Sequence, residues 1–341
     1  MSPIPPYDSA FVCRAPANTM LMGEHSVVYG YPALACALEQ WLEIVWHPID
    51  HTQIVIESAL ATHQFALDAF EDHPQLRFVC AAFKHFHLPL QQAGQGWHLT
   101  IQSQFSSTIG LGSSAAVLAA MLVGLNRLCQ THCSLTELWQ LGKKIIVQIQ
   151  GRGSATDLAA ALFGGLVYFQ PPSAGKPLQI EHFAIQMPLL LLYSGYKTPT
   201  AEVLSQVAQA WQTRPQQRDQ LYRQMGLRTQ AAYHALQTQN WSDFYQQLNA
   251  YHPLMRELGV SDSTLENLLH SLQKCPQVRA CKISGSGLGD CVLAVGSIER
   301  PAHGTAHALL SSCPDAEALD HFFQLQLLIS PQGAHCALLT P

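Results

Sequence analysis

Two glycines and two serines stand at a spacing that suits the binding of a phosphate group. They lie in one short run, Gly110, Leu111, Gly112, Ser113, Ser114 and Ala115. Glycine lets the backbone approach a ligand closely, and the free N–H groups at the start of a helix attract an anion. The alternative is a tight turn in which Ser113 or Ser114 caps the helix, and this run alone does not decide between the two.

Two common nucleotide-binding patterns do not fit the run. A dinucleotide fingerprint needs an acidic residue about 20 positions later, where Gln130 and Thr131 stand. The Walker pattern needs Gly-Lys followed by Ser or Thr, and neither Gly142-Lys143 nor Gly175-Lys176 continues in that way. A nucleotide site here must therefore be of another kind.

A carboxylate follows a second glycine-containing loop. Gly153 and Ser154 precede Asp157, which stands at the beginning of an alanine-rich run. Asp157 is either a helix cap or a carboxylate placed among small residues, where a substrate can come close. In the second case it could orient or deprotonate a hydroxyl that attacks a phosphoryl group.

A charged pair, Glu24-His25, follows Gly23 between apolar residues. It could be the solvated tip of a hairpin. A position lining a pocket is favoured, because the apolar residues on both sides hold the pair close to the core.

The elements that must position these residues can be predicted from periodicity and capping. Alternation over residues 97–105 predicts a strand before the first glycine run, and an apolar helix should follow that run. Ser134 and Glu137 form a capping box that begins a helix. Further predictions are strands at 41–48, 52–59 and 166–169, a turn at Ala15-Pro16, a helix over 74–88, helices from 200 to 274, a strand–glycine loop–strand at 278–296, and strand-like segments in the tail. The turn-rich segment 171–177 suggests two domains, 1–175 and 176–341.

Composition narrows the function classes. The 341 residues are 48% hydrophobic and 12% charged, with a net charge of −5 and no basic run. Nucleic acid is therefore an unexpected partner. The apolar runs are too short to span a bilayer, and no basic-then-apolar leader opens the chain. The ten cysteines form no CxxC pair, so we expect a cytoplasmic protein with reduced thiols and no membrane partner.

Three stretches in this order resemble the motifs of the GHMP small-molecule kinases. They are APANTMLMGEHSVVYGYPALA at 15–35, GLGSSAA at 110–116 and ISGSGLGDC at 283–291. The resemblance spans essentially the whole chain. It implies an α+β, two-domain GHMP kinase fold, with an N-terminal α/β domain, a C-terminal ferredoxin-like α+β domain, and ATP in the cleft between them. The first motif and residues 252–269 are most similar to mevalonate kinases.

The resemblance also implies roles for individual residues. The run from Gly110 to Ala115 would hold the phosphates of ATP, with Gly285 and Gly287 close by, and Ser114 would be a ligand of Mg²⁺. Asp157 would be the catalytic carboxylate. The acceptor would be the 5-hydroxyl of mevalonate, contacted by Glu24, His25, Gly153, Ser154 and Thr198. The family resemblance leaves open whether the chain forms a homodimer.

The chain departs from the mevalonate kinase pattern at charged positions. Asn18 stands where these kinases usually have a catalytic lysine, and Ile146 where they have a metal-binding glutamate. Lys197 or Arg152 could supply the missing cation. A catalytically impaired protein of this fold, which binds nucleotide or a small ligand, is therefore one alternative.

A second alternative is a phosphomevalonate kinase, whose corresponding loops resemble 151–157 and 285–291. A phosphorylated acceptor should need several basic residues beside the first motif. The first 80 residues contain only Arg14 and Arg77 as lysine or arginine, and this favours mevalonate.

Overall fold

The computed structural model describes residues 9–106, 109–173, 175–298, 309–310 and 312–339. Residues 107 and 108, just before the first glycine run, lie outside the described residues, as do parts of the predicted tail and of both predicted domains. The described residues form one eight-stranded and one four-stranded β-sheet, with helices packed against both.

The strands of the first half of the chain lie in the larger sheet. Its main path runs β12-β1-β2-β5-β3-β4, while β6 pairs with β2 and with β7. All pairings are antiparallel except β3 with β5. The strands are β1 (Phe11–Met22), β2 (Ala33–Ile49), β3 (Gln53–Ser58), β4 (Thr62–Ala66), β5 (Gly96–Ser103), β6 (Leu166–Gln170), β7 (Gln179–Phe183) and β12 (His335–Leu338).

Two local predictions for this sheet are wrong. Ala15-Pro16 is not a turn, because β1 continues through it and the pairing with β2 shifts register between Pro16 and Ala17. Proline lacks an N–H, and a bulge is where a strand tolerates that loss. The segment 41–48 is not a separate strand but the second part of β2.

The helices of the first half are α1 (Arg77–His85), α2 (His87–Ala93), α3 (Ser113–Leu128), α4 (Leu135–Gln150) and α5 (Thr156–Phe163). Helix α3 packs against β1 and β2 and is also contacted by α1, α4 and α5. This explains why its sequence is apolar on nearly every side. The predicted capping box at Ser134 and Glu137 is present at the start of α4. The predicted single helix 74–88 is two helices.

The smaller sheet is antiparallel, in the order β11-β8-β10-β9. Its strands are β8 (Pro188–Tyr193), β9 (Ala280–Ser284), β10 (Cys291–Val295) and β11 (Gln324–Leu328). The helices of this half are α6 (Thr200–Ala210), α7 (Pro215–Gln237), α8 (Trp241–Leu258), α9 (Ser263–Gln273) and α10 (Ala316–Leu319). The prediction of helices from 200 to 274, followed by a strand, a glycine loop and a strand, is confirmed.

Strand pairing crosses the segment predicted as the domain boundary. Strands β7 and β12 follow that segment in sequence but pair with β6 and β1 of the larger sheet. The division at 175/176 stays a prediction. One expectation about thiols is wrong, since Cys275 and Cys313 form a disulfide. The two cysteines are 38 residues apart in sequence, so no local pattern predicts the disulfide between them. None of the described helices is both long and apolar enough to cross a membrane.

Candidate active site

The first glycine run forms an open loop at the N-terminus of α3. Gly110 and Gly112 have positive φ angles of 70° and 67°, which glycine adopts without strain. Helix α3 begins at Ser113, with Gly112 at the N-cap and no side-chain cap among the described residues. Neither serine therefore caps the helix, and its first N–H groups remain available to an anion.

The serines of this loop line a cavity of about 1040 Å³. Its lining includes Ser113 and Ser114 together with apolar residues such as Phe78, Val79 and Phe105. A lining that combines serine hydroxyls with apolar side chains suits a nucleotide, which has phosphates at one end and a flat base at the other.

Asn18 lies in β1 directly behind the loop. Its side chain is completely buried, its backbone N–H donates to Leu111 O at 3.1 Å, and its Nδ2 donates to Gly112 O at 3.4 Å. A Cβ atom on Gly112 would lie 2.0 Å from Asn18 Oδ1. Oδ1 has no hydrogen-bond partner within the described residues.

Glu24 forms a buried ion pair that the sequence did not reveal. Its Oε1 accepts a hydrogen bond from Lys282 Nζ at 2.5 Å, and the two residues are 5% and 1% exposed. Lys282 lies in β9, also donates to Ile283 O, and stands 5.6 Å from the ring centroid of Tyr251. The available signal was a lysine inside a strand whose other residues are all suited to the core.

His25 holds the first motif against the third. The residue has a positive φ of 62°, and its Nε2 lies 2.8 Å from Ser286 O. A carbonyl can only accept, so Nε2 carries the proton. Burial lowers the pKa of the ring below its usual value, and the neutral ring therefore presents Nδ1 as an acceptor.

Three buried acceptors on the first motif are left without a donor in the described structure. They are Asn18 Oδ1, Glu24 Oε2 and His25 Nδ1. Buried polar atoms are nearly always paired in folded proteins, and an unpaired one needs an explanation. Acceptors without donors suit a ligand that brings hydroxyl groups.

Asp157 lies in the first turn of α5, whose N-cap is Ala155, so it does not cap the helix. The residue is exposed on a concave part of the chain. Desolvation of the carboxylate by neighbouring groups, and secondly the negative charge of Glu24, raise the pKa of Asp157 to about 6. A carboxylate tuned towards neutral pH is typical of an acid–base site.

The loop that carries Asp157 is fixed from α4. Lys143 Nζ donates to Gly153 O at 2.7 Å and to Ser154 O at 3.2 Å, and Trp139 Nε1 donates to Ala155 O at 2.8 Å. Ile146, at the position of the expected glutamate, packs against Gly153. This position therefore offers no metal ligand.

The smaller sheet contributes the third glycine loop to the same site. Gly285 and Gly287 have positive φ angles, and the chain at Gly287 packs tightly on Val260. Thr19 Oγ1 and Ser284 Oγ are 2.9 Å apart, which joins β1 to β9 beside Asn18. Thr198 Oγ1 donates to Leu288 O at 2.6 Å, so the Thr198 hydroxyl holds this loop.

Contacts therefore connect several of the predicted site residues. The first motif contacts both the first glycine loop and the third one, and Glu24 acts electrostatically on Asp157. Lys197 pairs with Asp290 on the third loop. Arg152 is exposed in the loop before Asp157.

Comparison with protein families identifies this architecture. Residues 77–165 match the model of the GHMP kinases N terminal domain, and residues 232–315 match that of the GHMP kinases C terminal. The chain belongs to the GHMP kinases. Residues 6–48 also match the galactokinase galactose-binding signature. The α+β, two-domain fold expected from the three motifs is thereby confirmed.

Curated relatives of this GHMP kinase include mevalonate kinases. One from Pyrococcus abyssi is 26% identical over 323 residues, covering 89% of this chain and 93% of the relative. One from Thermococcus onnurineus is 28% identical over 321 residues, covering 89% and 94%.

Solved structures share the fold at lower identity. A Lin0012 protein from Listeria innocua has a TM-score of 0.81 and 19% identity, covering 97% of this chain and 100% of that one. The Methanococcus jannaschii mevalonate kinase has a TM-score of 0.75 and 20% identity, covering 95% of this chain and 99% of that one. A Streptococcus pneumoniae phosphomevalonate kinase has a TM-score of 0.70 and 16% identity, covering 92% of this chain and 99% of that one.

Proposed function

We propose that this GHMP kinase transfers the γ-phosphoryl group of ATP to the 5-hydroxyl of mevalonate, giving 5-phosphomevalonate. The observation that carries the proposal is Asp157, a carboxylate with a pKa of about 6 at the start of α5. Relatives named mevalonate kinase, matched over most of their length, support the choice of acceptor.

The reaction needs an oriented hydroxyl and a stabilised phosphoryl group. Asp157 accepts a hydrogen bond from the acceptor hydroxyl and takes its proton as the new O–P bond forms. The phosphoryl group leaves the bridging oxygen of ADP. The N–H groups at the start of α3 stabilise its negative charge, and Lys143 keeps the Asp157 loop in place.

The acceptors of the first motif support a neutral, hydroxyl-bearing end of the substrate. Besides the 5-hydroxyl that donates to Asp157, mevalonate has one further hydroxyl, and Glu24 Oε2, His25 Nδ1 or Asn18 Oδ1 can accept from it. A phosphate in their place would meet the negative charge of Glu24. This favours mevalonate over its 5-phosphate.

The residues also fit a magnesium ion that enters with ATP. Ser114 is exposed at the cavity and is the candidate protein ligand. The described chain contains no cluster of three His, Cys, Asp or Glu side chains for a metal, but Mg²⁺ in nucleotide sites takes most of its ligands from phosphates and water. When bound, the ion would neutralise phosphate charge.

Phosphomevalonate kinase activity remains the second candidate. The third motif ends in Gly289-Asp290-Cys291, as in phosphomevalonate kinases. A galactose acceptor is a third, because the galactose-binding signature covers the residues with unpaired acceptors. A protein that binds ATP without transfer is a fourth, supported by Asn18 and by the buried Ile146.

A coupled ADP-release assay separates these candidates. The panel is mevalonate, 5-phosphomevalonate, mevalonate 5-diphosphate, galactose and homoserine, each with ATP and Mg²⁺. We expect mevalonate to give the highest kcat/KM. Asp157→Asn should lose activity by about 100-fold or more, while the exposed Asp219→Asn should retain it. A folded Asp157→Asn variant with full activity contradicts the proposed mechanism.

A further inference from the structure

Two charged residues of the smaller sheet's loops stand against the first glycine loop. If Gly110 had a Cβ atom, that atom would lie 2.5 Å from Asp290 Oδ2 and 2.9 Å from Oδ1. The carboxylate therefore rests directly on the glycine. Lys197 Nζ is 3.2 Å from the same Oδ2.

Backbone hydrogen bonds hold the segment that carries Lys197 against Asp290. The N–H of Ser194 donates to Asp290 O, and the N–H of Asp290 donates to Tyr196 O, both at 2.8 Å. Asp290 has a φ of 65°, a conformation that asparagine and aspartate tolerate better than most residues. The segment 194–198 and the third glycine loop therefore form one unit that faces the first glycine loop.

A carboxylate is an unexpected neighbour for a loop built to hold phosphate. Two like charges would repel if Asp290 and a phosphate occupied the loop together. In the structure the Asp290 carboxylate lies against Gly110 of this loop, with a lysine as its partner. A bound phosphate would bring a second negative charge to the same loop.

A further lysine near the site, Lys282, is held by structural contacts. Lys282 is almost completely buried and donates to Glu24 and to Ile283 O. Lys197 has about a third of its side chain exposed and a flexible stem that can move by several ångströms.

We propose that the Asp290 carboxylate pairs with Lys197 while no nucleotide is bound, in the place of a nucleotide phosphate. When ATP binds, the Lys197 ammonium group moves from Asp290 to the γ-phosphate. This inference rests on the proposed role of ATP as phosphoryl donor. Lys197 then supplies the positive charge that Asn18 cannot supply. The lysine stays protonated and donates hydrogen bonds to the non-bridging γ-oxygens, and Asp290 is a positioning residue for it.

The proposal makes opposite predictions for the two charges, tested by calorimetric binding of ADP and of a non-hydrolysable ATP analogue. Lys197→Met should weaken binding of the ATP analogue by about 10-fold more than binding of ADP, because only the γ-phosphate is contacted, whereas the unpaired Asp290 repels both nucleotides. Lys197→Arg should keep most of the preference. Asp290→Asn should bind ADP several-fold more tightly, because a competing negative charge is gone.

The matched control is Lys274→Met, which removes a lysine from another Lys–Asp pair, that with Asp315, and should alter neither affinity. Equal losses of ADP and ATP analogue in Lys197→Met indicate a structural lysine and overturn the proposal, as does unchanged binding of both. Weaker ADP binding by Asp290→Asn also overturns it.

These binding measurements do not depend on the acceptor. If no acceptor in the panel is phosphorylated by the wild-type protein while Lys197→Met weakens binding of the ATP analogue more than binding of ADP, the proposed function fails and the inference holds. If the wild type phosphorylates mevalonate but Lys197→Met loses both nucleotides alike, the inference fails and the proposed function holds.

Discussion

The buried pair of Lys282 and Glu24 should contribute strongly to stability, and Lys282→Met tests this. Methionine keeps most of the volume of the lysine stem but removes its charge. Glu24 would then be buried with neither carboxylate oxygen paired, since Oε2 already has no partner in the described structure.

The expected cost follows from the burial of the pair. Breaking a buried ion pair on one side costs about 3–5 kcal/mol, which is large beside the total stability of a typical domain, about 5–15 kcal/mol. The double variant Glu24→Gln/Lys282→Met removes both charges and should recover about 2 kcal/mol or more of the loss.

Urea unfolding followed by both tryptophan fluorescence and circular dichroism measures these differences. Two probes are needed because a chain of this size can unfold in more than one step. Lys274→Met breaks a pair with a partly exposed lysine and should cost less than about 1 kcal/mol. If Lys282→Met is no more destabilising than Lys274→Met, the buried pair does not support the fold as argued.

Three further predictions concern the site. The log of kcat/KM should fall with decreasing pH below about 6, because Asp157 must be ionised to accept a proton and its pKa is about 6; a flat profile from pH 5 to 8 argues against this role. Gly112→Ala should weaken ATP binding by about 10-fold or more, because its Cβ would overlap Asn18 Oδ1. Gly94→Ala, which has a similar φ but no atom near the added Cβ, is the control for strain and should bind ATP normally. Lys143→Met should lower kcat by about 10-fold with little change in ATP affinity, since the lysine fixes only the Asp157 loop. Equal losses in kcat and in ATP affinity would refute this role of Lys143.

The parts of the site that depend on local sequence could be predicted. The first glycine loop and the helix behind it are set by neighbouring residues, because positive φ angles at Gly110 and Gly112 and the apolar run after them need no distant partner. The same is true of Asp157, which a glycine-containing loop presents at the start of a helix.

Contacts between distant segments could not be predicted in this way. Lys282 is 258 residues from Glu24 in sequence, and only the packing of β9 beside the first motif brings them together. The position of Asp290 against Gly110 depends on how two sheets meet. Pro16 is a comparable case, because a proline usually ends a strand but here lies at a register shift that only the pairing with β2 creates.

Phosphorus NMR of one reaction mixture tests the central proposal most directly. Wild-type protein, ATP, Mg²⁺ and mevalonate are incubated together, and the resonances of ADP and of a new phosphomonoester are followed. We predict that the two products grow in equal amounts, only when mevalonate is present, and that Asp157→Asn forms neither at a comparable rate. No phosphomonoester from mevalonate, with nucleotide binding intact, would contradict the proposed function.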